Sequence, residues 1–103
     1  MKGLTINIKN MTAISYGKYG YTNITSASTT TVAKGAGVLH AIVINTTAAG
    51  TITVYDSTTG SGQKIATIAA SPVTGQVFLY DCVFSTGCTI VTAAGSDITV
   101  MVG

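Results

Sequence analysis

The residues able to carry chemistry are few. His40 is the single histidine, Cys82 and Cys88 are the two cysteines, Asp56, Asp81 and Asp97 are the only acids, and five Lys complete the charges, with no Arg and no Glu. A general base needs a nucleophile or proton donor within reach and an acid to orient it. His40 lies in the apolar run Val38 to Ile44, and no spacing in the chain supplies those partners. It reads as a histidine hydrogen-bonded in a core or at a subunit interface. Were three copies to meet about an axis, His40 would line it and make assembly pH-sensitive, an expectation refuted by unchanged association between about pH 5 and 8.

The three Asp stand where turns are expected, and a carboxylate there bonds backbone N–H groups. Asp56-Ser57-Thr58-Thr59-Gly60 offers a few oxygens but not the D-x-D-x-D-G pattern of a calcium loop. A P-loop, a dinucleotide glycine fingerprint and a nucleophile elbow are absent from the sequence. Cys82 and Cys88 are not a CxxC pair, so neither zinc nor redox chemistry is indicated. In a hairpin they would face one another; two free, small apolar residues are favoured over a bridge. No enzyme, no cofactor and no metal is expected.

The aromatic residues are better suited to contact than to catalysis. Tyr16, Tyr19 and Tyr21 are spaced by Gly17 and Gly20 within a segment, 10–28, that holds one charge, Lys18. That segment reads either as a long surface loop with an irregular strand or as an extended arm whose Tyr side chains dock on a neighbouring subunit. Tyr16, Tyr19, Tyr21, His40 and Tyr55 are the candidate subunit or capsid contacts. The same Tyr are the only supply for a concave, glycan-binding site.

The elements that must position these residues are strands. β-branched residues dominate the apolar runs, and they favour the pleated surface over the helix. No segment sustains a helical period, so the chain is expected to be all-β. Leu4 to Ile8 alternates, Thr29 to Ala33 is a weaker candidate, and Val38 to Asn45 is the strongest. In an unbroken strand Val38, His40, Ile42 and Ile44 share one face and Leu39, Ala41 and Val43 the other. With both faces apolar, that strand is expected to be central and covered on both sides. Thr51 to Asp56, Lys64 to Ala69, Gln76 to Phe84, Cys88 to Thr92 and Asp97 to Val102 follow. About eight short strands spaced by turns predict a compact β-sandwich or jelly-roll-like domain with an extended N-terminal segment. Residues 1–103 form one domain on grounds of length.

Composition narrows the function further. Only 8% of the chain is charged, against about a quarter in an average domain. A surface so poor in charge favours contact between copies. The scattered Lys and missing Arg give no basic patch, so nucleic acid is not an expected partner. No apolar run is long enough for a membrane helix, and the chain is too short for an outer-membrane barrel. The N-terminal alternation meets Lys9 before it could form a signal's apolar stretch, which predicts assembly in a cytoplasm.

The run Gly35 to Val102, about two-thirds of the chain, resembles small virion proteins of tailed bacteriophages, of the capsid decoration (cement) and head-fibre type. The resemblance is carried by Gly35-Ala36-Gly37-Val38-Leu39-His40, Thr51-Ile52-Thr53-Val54-Tyr55-Asp56, Gly62 with Ile65-Ala66-Thr67-Ile68, Tyr80-Asp81 before Phe84-Ser85-Thr86-Gly87, and Asp97-Ile98-Thr99-Val100. It implies a β-sandwich that decorates and stabilises a phage capsid by non-covalent contacts, commonly as a homotrimer at local three-fold positions. Its partners would be itself and the major capsid protein, and its location the capsid surface. Cys88 stands where a plain aliphatic residue is expected. The alternative is a tail or head-fibre module that recognises a host-surface glycan.

Overall fold

The computed structural model describes residues 18–103. They form eight strands and no helix: β1 (Gly20–Ile24), β2 (Ser28–Lys34), β3 (Gly37–Thr46), β4 (Ile52–Asp56), β5 (Gln63–Ile68), β6 (Val77–Phe84), β7 (Gly87–Thr92) and β8 (Asp97–Val102). Two antiparallel sheets pack face to face. Sheet I has the order β1-β8-β3-β6 and sheet II the order β2-β7-β4-β5. The pairings nest: β1 with β8, β2 with β7, β3 with β6 and β4 with β5. The described chain is thus one long antiparallel ribbon, folded between β4 and β5 and wound up by the β3–β8 and β4–β7 pairings. That winding is the jelly roll.

Alternation supplies the core. Ile24, Leu39, Ile42, Ile44, Phe84, Ile98 and Val100 face inward from sheet I and meet Ile52, Val54, Ile68, Cys88 and Ile90 from sheet II. Each such side chain contributes about 1.5–3 kcal/mol on burial. Seven strands coincide with the runs read from the sequence, within a residue or two. The expected strand Leu4 to Ile8 lies outside the described residues.

Two expectations are corrected. Within the segment expected to be a loop or arm, residues 20–24 are strand β1, hydrogen-bonded along β8; only Ile24 of the five is fully buried, so the alternation signal is faint. The second correction concerns β3. It is central, between β8 and β6, but it does not alternate without a break. Leu39 pairs with Val102 and Ala41 with Met101, so His40 is an extra residue against β8. Leu39 pairs with Cys82 and Ala41 with Leu79, so Tyr80 and Asp81 together oppose His40 on β6. Asp81 takes up the bulge with a left-handed φ of 47°, a conformation Asp tolerates better than most residues. The bulge changes the phase: Leu39, Ile42 and Ile44 join the core, while His40 is displaced to the outer side. Asp81, expected at a strand end, accordingly sits inside β6.

The tight turn after β2 requires Gly35, whose φ is 84° and whose N–H donates to the Thr86 carbonyl at 2.9 Å. Gly37 is required by space: a Cβ there would lie 2.7 Å from both the Gly103 carbonyl oxygen and a Phe84 ring carbon.

Candidate functional site: the outer face of sheet I

The two outer faces of the sandwich differ. Sheet II is overlaid by the loop between β4 and β5. Thr89 Oγ1 donates to the Ser57 carbonyl at 2.7 Å, and Thr31 Oγ1 donates to the Thr58 carbonyl at 3.1 Å. Gly60 packs so closely on Thr29 and Val91 that a Cβ would meet their methyl groups at 3.0 and 3.1 Å. Thr89 is thereby fully buried although it points away from the core. Hydroxyl groups and one loop cover that face.

Sheet I has no such cover among the described residues. Register places Tyr21, Met101, Ala41 and Leu79 in one row across its four strands. The next row is Asn23, Thr99, Val43 and Val77. At the other end Val38 pairs with Val83. Tyr21 is 78% exposed, Leu79 65% and Val83 79%. Such an apolar stretch on one face marks an interaction site more often than chance exposure does. The edge strand β6 is interrupted by its bulge and by Asp81, both of which discourage edge-to-edge strand addition. The flat face, not that edge, is built for contact.

His40 and Tyr19 stand at one end of this face. His40 Nδ1 lies 2.5 Å from Asp81 Oδ1. The Tyr19 ring stacks on the imidazole with centroids 4.1 Å apart and planes 7° from parallel. The bulge is what makes this trio: it turns His40 and Asp81 outward together, under the ring that begins β1. The trio clips the entry of β1 to β3 across the intervening β8. At the opposite end, Asp97 accepts from the Asn23 and Asn45 amides at 2.7 and 3.1 Å. Those bonds hold its carboxyl below the usual range, Asn23 contributing most.

The other candidates are placed elsewhere. Tyr55 belongs to β4 of sheet II, so it shares no surface with Tyr19 and Tyr21, and the Tyr do not converge on a concave site. Tyr16 lies outside the described residues. No pocket opens among the described residues, and no group of three or more His, Cys, Asp and Glu is gathered there. Asp56 does cap a turn, though a distant one. It accepts the N–H groups of Ser85 at 2.9 Å, Thr86 at 2.8 Å and Gly87 at 3.3 Å, locking the turn between β6 and β7 to the end of β4. The bonds from Ser85 and Thr86 lead in holding its carboxyl below the usual range. Cys82 and Cys88 are free and lie on strands of different sheets. Burial pushes the Cys88 thiol up to about 11, with smaller contributions from Cys82 and Asp56.

Sequence reasoning marked Tyr19, Tyr21 and His40 but missed Val77, Leu79, Val83 and Met101. Val77, Leu79 and Val83 alternate with Phe78, Tyr80 and Phe84, so composition alone does not say which set faces inward. No family model, curated protein or solved structure matches the chain.

Proposed function

We propose that this protein is a structural component of a tailed-phage particle, a decoration protein that stabilises the capsid through the outer face of sheet I. The observation that carries the reading is the asymmetry of the sandwich: one outer face is sealed by its own loop and hydroxyl groups, the other presents Tyr21, Leu79, Val77 and Val83 unsealed. A cementing role needs apolar, hydrogen-bonding contact area and few charges to desolvate. Strands β1, β8, β3 and β6 contain no Lys, and of their two acids one is paired to His40 and the other to two Asn amides. The resemblance from Gly35 to Val102 supports the same reading. The jelly roll itself serves viral shells and lectins alike, so it supports a particle location without choosing the role.

The experiment is a count of this chain per purified particle by quantitative mass spectrometry. Copies in the hundreds, comparable to the shell protein, are expected. A dozen or fewer would move the protein to a neck, tail or fibre, and none would remove it from the particle.

A further inference from the structure

The unsealed face needs an occupant in the protein by itself, and the chain contains one. We propose that residues 1–17 of a neighbouring copy lie across the outer face of sheet I, joining subunits head to tail. This deepens the contact reading above and rests on it for the identity of the face.

Four observations point there. The first is chemistry. Leu4, Ile6 and Ile8 alternate with Thr5 and Asn7, so an extended segment offers one apolar side. The second is charge. Residues 1–17 carry Lys2 and Lys9 and no acid, whereas the face carries Asp81 and Asp97 and no Lys. A second copy laid face to face would instead bring those acids against one another. The third is reach. Extended, residues 1–17 span about 55 Å, and crossing four strands takes only about 15 Å.

The fourth is direction. Followed backward from Ile24 to Gly20, β1 runs to the end of the sheet where Gly20 pairs with Val102. The chain then crosses over Gly103, where a Cβ would lie 3.0 Å from the Lys18 carbonyl oxygen and 2.8 Å from the Tyr19 ring. Tyr19 is clipped there on His40. Residues 1–17 therefore leave from the end of the sheet with their own face behind them. Continuing onward leads to another subunit; only a reversal would return the segment to its own. A head-to-tail contact of this kind closes into a ring when the rotation allows, as the expected homotrimer requires.

The test uses the full chain with a photoreactive benzophenone amino acid in place of Leu79. Equal amounts of ¹⁵N-labelled and unlabelled protein are mixed, irradiated and digested with trypsin. The expected product has the mass of two chains, its cross-link joining position 79 of one copy to the peptide 3–9 or 10–18 of another, with mixed isotopes. Ile6→Asp, outside the described fold, should reduce that product at least tenfold. A cross-link to the same chain's segment, a cross-link to residues 19–103 of a second copy, or the absence of any two-chain product at high protein concentration would each overturn the proposal. Particle counting reports separately: an arm-linked oligomer missing from particles would sink the capsid reading and leave the arm standing. A decorated particle without the arm cross-link would do the reverse.

Discussion

Leu79→Lys separates folding from assembly. Leu79 is on β6, an edge strand, and faces outward in the row with Ala41, Met101 and Tyr21. Complete burial of a leucine is favourable by about 1.5–3 kcal/mol. Since 65% of the residue remains exposed, the share left for a partner is about 1–2 kcal/mol. Losing it weakens each contact about 5- to 30-fold, and a Lys ammonium facing a basic arm weakens it further. Folding loses little, because the side chain contributes hardly at all to the core and Lys is well accepted on edge strands. A surface change of this kind stays within about 0.5 kcal/mol, or about 4 °C in thermal midpoint for a chain of this size. The matched control is Thr67→Lys, which adds the same charge to an exposed position on β5 of sheet II. Sedimentation equilibrium measures the association constants and a thermal scan the stability. Equal weakening by both variants would refute the assignment to sheet I, as would undiminished association of Leu79→Lys.

Further outcomes follow from the same structure. Ile90→Ala, at a fully buried core position, should cost about 2–5 kcal/mol in urea unfolding. Asp56 and Asp97 both have folded-state values below the ordinary one, so their contribution is fully present above about pH 4 and is lost as pH falls through the lowered values. Thermal midpoints recorded down the acid range should show that fall, and Asp56→Asn should lower the neutral midpoint and flatten the acid slope. Cys88, buried and with its thiol pushed up to about 11, should resist iodoacetamide at about pH 8 in the native protein and react once urea unfolds it. Peptide mapping of the alkylated sites checks this.

The strands were legible because their apolar residues alternate: Ile52 and Val54 of β4 and Ile98 and Val100 of β8 read inward from sequence and are buried. β1 was not, since Gly20, Tyr21, Thr22 and Asn23 owe their place to pairing with β8, a partner more than seventy residues on. The facing of β3 misled for a related reason. Its phase is reset at His40 by a bulge shared with Tyr80 and Asp81 on another strand, and no local pattern in Val38 to Ile44 records that. The candidate face was half visible. Tyr19, Tyr21 and His40 stood out as aromatic or ionisable residues in a chain with few of either. Leu79 and Val83 acquire meaning only once the opposite sheet is seen to be sealed by Ser57 to Gly62 and their own is not. That contrast depends on where one loop folds, which composition does not determine.

Hydroxyl-radical footprinting of the assembled protein against the dilute subunit tests the role of this face most directly. Tyr21, Leu79 and Met101 should oxidise more slowly on assembly, while Tyr55 on sheet II keeps its rate. Protection centred on Tyr55 and the overlying loop, with Tyr21, Leu79 and Met101 unchanged, would contradict the account.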